Sequence, residues 1–232
     1  MMKNLEDLAE WRHTATVLAV DLGKLQDYTA ISIINQFDRY AVPNPARAMA
    51  VTRLHPRVTG EVRYEVPYLR RLPLGTDYVQ QVATVDRLYG ELKRRCKPRP
   101  TLVIDATGVG QPVADMFRHG GLQPIEIWFS GGNQPTTRPF GWNVPKRDII
   151  SALQRTIGRG ELKIANQIPE AAVLVNEAVR MQAVQQPSGY VRFEHREGEH
   201  DDLLLSLGIG LWYLYQMRKY ALRTMPAERL GL

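Results

Sequence analysis

Two short apolar runs that each stop at an aspartate constrain this chain more than any other feature: residues 16–21 (TVLAVD) and residues 101–105 (TLVID). Aliphatic and β-branched runs of this length, bounded by turn formers, are strands. Gly23 follows the first, and Gly108 and Gly110 follow the second. A buried strand that ends in a carboxylate at a glycine turn delivers an acid to one edge of a sheet. If the two strands are neighbours, their carboxyl ends stand about 5 Å apart.

The remaining pattern supplies the rest of the sheet and its cover. Residues 29–34 (TAISII) form a hairpin with the first run, and a third extended region starts at 49–54 and continues toward Val66, broken by Pro56, Gly60 and Pro67. From Tyr78 the positions Tyr78, Val82, Val85, Tyr89 and Leu92 step by four and three, one buried helical stripe. Its last turn carries Lys93, Arg94 and Arg95, as the helix dipole favours. A helix is expected over 112–119, a fifth strand over 124–129 and helices over 146–157 and 170–183. A short edge strand is expected at 190–193 and a last helix from Asp201 to about Tyr220. Residues 130–145, with three glycines, three prolines and no periodicity, read as a long surface loop. The order is β-β-β-α-β-α-β and then mostly helices. No linker divides the chain, so residues 1–232 are read as a single domain, with 1–13 an N-terminal extension and 218–232 a basic tail carrying Arg218, Lys219, Arg223 and Arg229.

Composition narrows the function. A net charge of +6 and a pI near 9.5 favour a polyanionic partner. The single cysteine, Cys96, excludes an intramolecular disulfide and a thiolate zinc site, and a reducing cytoplasm is the expected location. The longest nearly apolar run, residues 203–215, is interrupted by Ser206 and is shorter than the roughly 18 residues of a bilayer span, so no membrane association is expected. The first thirteen residues, rich in acids and lacking an apolar stretch, do not read as a secretory signal. Gly108-Val109-Gly110 is half of a dinucleotide fingerprint, but position 113 is Val and no ribose-binding acid follows, so neither nicotinamide nor flavin is expected. No nucleophile elbow surrounds Ser151 or Ser206.

A third acidic position, Asp201-Asp202, opens the last helix, so that the three lie 84 and 97 residues apart, counting from Asp21 to Asp105 and from Asp105 to Asp202. Read singly, Asp21 and Asp105 fit turn caps and Asp201 or Asp202 a helix N-cap. Converged, the acids would repel, raising a pKa or holding hard divalent cations such as Mg²⁺ or Mn²⁺. Two such ions serve phosphodiester cleavage. Neighbouring helical residues point about 100° apart, so Asp202 is taken as the ligand and Asp201 as a cap or outer ligand.

The segments AVDLGKLQDYTAISI, LVIDATGVGQPVADMF, VPKRDIISALQRTIGRGELKI and EHDDLLLSLGIGLW resemble, in order and spacing, the nuclease domain of bacteriophage large terminases. The similarity runs over about residues 14–215. It implies an RNase H-like α/β fold, a mixed central sheet with antiparallel first strands and then parallel ones, flanked by helices. It also implies a metal-dependent endonuclease that cuts concatemeric viral DNA during packaging, with Asp21, Asp105 and Asp202 holding two Mg²⁺ or Mn²⁺ ions. Asp27 matches a position where similar sequences carry an acid and is assigned an outer role. His200 is a candidate to ligate metal or orient water, and Lys146, Arg147 and Arg138 are assigned to DNA phosphates. Double-stranded DNA, a packaging ATPase on a separate chain, a small terminase subunit and a portal are the implied partners. Large terminases normally carry an N-terminal ATPase motor, and no G-x-x-x-x-G-K-[ST] occurs here. The chain is then a nuclease domain separated from its motor, a stand-alone relative whose ATPase lies elsewhere, or an enzyme whose cleavage serves another purpose such as recombination. Two rivals remain. An actin- or sugar-kinase-like ATP-binding enzyme would use the Asp-Leu-Gly and Asp-Ala-Thr-Gly turns for phosphates, and a non-catalytic DNA-binding or assembly module predicts that the acids are dispersed.

Overall fold

Alternate residues of the first strand, β1 (Ala9–Asp21), divide between two buried clusters: Val17 and Ala19 enter one, Leu18 and Val20 the other. A strand buried on both faces needs helices above and below it. The computed structural model, which describes residues 9–23, 27–41, 57–185, 191–194 and 200–224, provides them. β2 (Ala30–Ala41) and β3 (Arg57–Arg71) continue the sheet as antiparallel neighbours. α1 (Tyr78–Arg95) then crosses to β4 (Thr101–Asp105), which lies parallel to β1 on its other side. α2 (Gly110–His119) leads to β5 (Ile125–Ser130), followed by β6 (Thr136–Arg138) and β7 (Gly141–Pro145). α3 (Lys146–Gly158), β8 (Leu162–Ile164) and α4 (Glu170–Arg180) come next, then a small sheet of β9 (Gln182–Gln185) and β10 (Val191–Glu194). α5 (Asp202–Thr224) closes the described chain. The eight-stranded sheet runs β6-β7-β5-β4-β1-β2-β3-β8.

Val85 and Tyr89 of α1 and Val113 and Phe117 of α2 cover one face, packing on Leu18, Val20, Ile31, Leu102 and Ile104. Ile149 and Leu153 of α3, Leu174 of α4 and most of α5 cover the other. α5 lies close enough to the sheet that a Cβ on Gly210 would stand 2.5 Å from Ile34 Cδ1 and 3.0 Å from Ala19 Cβ. Ser206, in the same stretch, donates to the Ala19 carbonyl or to Ser32 Oγ. Farther along, Arg218 pairs with Asp38 of β2 and donates to the Gly60 carbonyl at 2.9 Å, so α5 still meets the sheet at the first residue of what the sequence assigns to a tail. Among the described residues no helix is long and apolar enough to cross a membrane.

Several elements differ from the sequence expectation. Residues 130–145 are not one loop: β7 pairs parallel with β5, and β6 pairs antiparallel with β7. Gly141 is what lets β7 approach, since a Cβ there would fall 1.8 Å from the Glu126 carbonyl oxygen, and Trp142 then packs edge-on against Trp212. β3 is continuous through Gly60 and Pro67, because both breakers fall where the β2–β3 register shifts. Those bulges absorb the missing donor of proline and the left-handed conformation of Gly60, at φ 90°. The expected strand over 49–54 lies outside the described residues. The helix over 170–183 stops at Arg180 and turns into β9, which pairs with β10 away from the main sheet. β8, three residues long, carries too little pattern to be read. Residues 9–13, assigned to an extension, belong to β1.

Candidate functional site

The sheet register puts a row of strand-end residues along one edge. Asp21 is the partner of Asp105 across β1 and β4 and, on its other side, of Ala30, which in turn pairs with Arg71 at the end of β3. The two carboxylates that the sequence placed at strand ends are therefore side by side. The turn after β4 is fixed locally: the Thr107 amide donates to Asp105 Oδ1 at 2.8 Å, and the Phe129 amide donates to Thr107 Oγ1 at 2.7 Å. The turn after β1 is fixed by close approach. A Cβ on Gly23 would lie 2.2 Å from the Asp27 carbonyl oxygen, while Thr29 Oγ1 and Gln81 Nε2 both donate to the Gly23 carbonyl.

α5 brings its first residue to the same edge. Asp202 is buried, and its Oδ2 has no hydrogen-bond partner; the nearest cationic atoms are Arg71 Nη2 at 3.6 Å and His200 Nδ1 at 3.8 Å. Asp201 faces Lys146 instead, with Nζ donating to Oδ2 at 2.9 Å. Among the described residues, Asp27, His200 and Asp202 form a set of three whose ligand atoms lie within 4.8 Å of one another. A buried carboxylate oxygen without a partner, beside an imidazole and further carboxylates, is a donor set that a divalent cation completes.

The electrostatics follow from crowding like charges in a desolvated place. Burial, then the charges of Asp105, Asp202 and Asp201, hold the Asp21 pKa well above the carboxylate range, against an opposing pull from Lys146. Burial pushes Asp105 up to about 6 despite the Thr107 hydrogen bonds and Lys146. Burial also pushes Asp202 to about 6, with Arg71 and His200 lowering it and Asp201 and Asp27 raising it.

The pattern of the sequence does not point to three further residues of this edge. Glu177 of α4 is buried, accepts from the Leu204 amide at 2.7 Å at the start of α5 and pairs with Arg71; burial lifts its pKa to about 7. Arg71 also stacks over Tyr28 at 4.7 Å, and Tyr28 meets His200 edge-on at 5.0 Å. Arg71 closes β3 as Asp21 closes β1, which is the one sequence signal that could have found it. Glu177 sits mid-helix on an otherwise ordinary pattern and gives none.

The assigned DNA contacts are spread out. Lys146 opens α3 at the carboxylate edge, and Arg147 beside it donates to the Asn133 carbonyl at 2.7 Å. Arg138 pairs in register with Gly141, at the opposite end of β7 from Lys146, where it donates to Asn143 Oδ1 and lies 4.4 Å over the Trp128 ring.

No protein-family model matches the chain, and no curated protein matches it. Solved structures do. The large terminase nuclease of thermophilic phage G20c with bound magnesium superposes with a TM-score of 0.56 at 18% identity, covering 85% of this chain and 80% of that one. The nuclease domain of the large terminase of Thermus phage P74-26 gives 0.54 at 16%, covering 84% and 77%. The large terminase of thermophilic bacteriophage D6E gives 0.54 at 9%, covering 88% of this chain and 40% of that one. The chain thus has the RNase H-like mixed fold of terminase nuclease domains.

Proposed function

We propose that this chain is a metal-dependent endodeoxyribonuclease of the kind that cuts concatemeric viral DNA during packaging, using two Mg²⁺ or Mn²⁺ ions. The observation that carries the reading is the register of Asp21 against Asp105 with buried Asp202 brought to them by α5. A binding module without catalysis needs no such convergence. Asp202 belongs to two groupings, one electrostatic with Asp21 and one geometric with Asp27 and His200, so a pair of cations sharing it fits the donors available.

When bound, the cations supply the positive charge that favours deprotonated water and stabilises the departing 3′ oxygen. The chain's own residues do the rest. Asp21, Asp105 and Asp202 hold the cations; Asp201 anchors Lys146 at the rim, where its ammonium can exchange the carboxylate for a DNA phosphate. Arg71 and Glu177 fix the start of α5, and Tyr28 orients His200. Specificity of cutting, a packaging ATPase, a small subunit and a portal belong to the same reading, as does a cytoplasmic location.

The deciding assay is nicking of supercoiled plasmid by the full chain with Mn²⁺, Mg²⁺ or EDTA. Nicking is expected with either metal, is expected to vanish in EDTA, and is expected to be abolished by Asp105→Ala and by Asp202→Ala. Equal activity in EDTA, or full activity in both variants, would remove the metal nuclease reading. His200→Ala should weaken metal affinity by about 10- to 100-fold without abolishing cutting at saturating Mn²⁺.

A further inference from the structure

At the other edge of the sheet, the last turn of α1 and the chain from it to β4 concentrate positive charge. Lys93, Arg94, Arg95, Lys97 and Arg99 are five cations within seven residues, and all five side chains are exposed. They line one open cavity of about 880 Å³ together with His13 and Asn35 of the first two strands, and among the described residues no carboxylate contributes to its lining. Among the described residues, none of the five has a carboxylate within ion-pair distance; Lys93 rests over the Tyr89 ring at 4.9 Å. Elsewhere Arg12, Arg39, Arg63, Arg118, Arg159 and Arg218 have carboxylate partners, and the cations that rest on other groups, such as Arg138 on Trp128 and Arg155 on Tyr215, are not gathered five around one hollow.

The helix dipole accounts for a cation at the end of α1, but five of them gathered around one hollow create a positive potential that favours an anion of matching density there. The chemistry of the lining chooses between polyanions. Protein interfaces place aromatic and aliphatic anchors at their centre and are depleted in lysine. Among the described residues this hollow has no exposed large apolar side chain in its lining, only cations, an imidazole, an amide and the half-buried Cys96. Cations with polar hydrogen-bonding groups and no apolar anchor are the footprint of a nucleic-acid backbone.

We infer that this cavity binds the phosphate backbone of nucleic acid, at a surface separate from the carboxylate edge. His13 and Asp21 are eight residues apart on β1, roughly 25 Å at strand rise. A duplex reaching from one surface to the other would span about seven base pairs at 3.4 Å each. The charge needs no catalysis at the far edge, so this surface stands whether or not the carboxylates cleave.

The experiment is fluorescence anisotropy of a 30-base-pair duplex with the full chain in EDTA, over 50 to 200 mM salt. Two variants are compared with the parent: Lys93→Ala/Arg94→Ala/Arg95→Ala, and Lys97→Glu/Arg99→Glu, whose positions lie outside α1 and leave the helix intact. Each is expected to weaken binding at least tenfold at 100 mM salt. The triple variant should lower the slope of log K against log salt by about 2.7, which is 0.9 for each of three phosphates no longer neutralised. Unchanged affinity and slope in the Lys97→Glu/Arg99→Glu variant would overturn the proposal. So would a variant that no longer binds polyglutamate yet still binds the duplex as the parent does, which would assign the surface to an acidic protein.

Discussion

Asp105 carries its proton to unusually high pH because burial disfavours the carboxylate more than the Thr107 hydrogen bonds favour it. With its folded pKa about 6 against 3.8 for the free side chain, the folded chain holds a proton that the unfolded chain has released between those values. The stability that Asp105 contributes to the metal-free protein is therefore full below about pH 4 and is lost as pH rises through 6, and Asp202 adds a contribution of the same sign. Calorimetry in EDTA should show a Tm several degrees higher at about pH 4.5 than at about pH 7 from these groups. Asp105→Asn should flatten the profile and exceed the parent in Tm at neutral pH; coincident profiles would refute the assignment. Arg71 offers a second test. Arg71→Ala leaves Glu177 buried with only the Leu203 and Leu204 amides to face its charge, which should cost about 2 kcal/mol or more in urea unfolding. Adding Glu177→Gln should restore much of that, since the uncompensated charge is gone.

α5 shows how much one element's packing governs. Gly210→Ala pushes a methyl to within 3.0 Å of Ala19 Cβ, which has no rotamer to yield, so a destabilisation of about 1–3 kcal/mol and a displaced Asp202 are expected. A chemical-denaturation midpoint and a metal titration of the same variant check both halves. The strands that carry Asp21 and Asp105, and the helix that carries Asp202, were legible because each has its own apolar pattern with the acid at its end. β7 was not, because its identity lies in a close approach at Gly141 and in what Trp142 meets, neither of which leaves a periodic trace. The breakers Gly60 and Pro67 misled for the complementary reason: bulges are a property of two strands in register, and a single strand's sequence does not state its partner's spacing. At the site, Asp27 meets His200 and Asp202 from more than 170 residues away in the chain, a contact between elements that no local pattern states.

On the scale of the whole molecule, the carboxylate edge is assembled from β1, the turn at residue 27, β3, β4, α4 and α5, nearly the full length of the described chain. A ligand bound there opposes global unfolding, so Mg²⁺ or Mn²⁺ at about a hundred times its Kd should add about 2.7 kcal/mol of stability at neutral pH, and Asp202→Ala should remove that gain. The same breadth gives α5 a second meaning. Asp202 stands at one end of it and Arg218, clasped to Asp38 of β2, sixteen residues along, a span of about 24 Å. A slip by one helical turn, about 5.4 Å, would carry Asp202 out of its place, and the clasp at Arg218 opposes it together with Ser206 on Ala19 and the close seat of Gly210. The helix is a tie rod. Its far anchor at Arg218 and Asp38 thus shares in setting where the first residue of the rod stands.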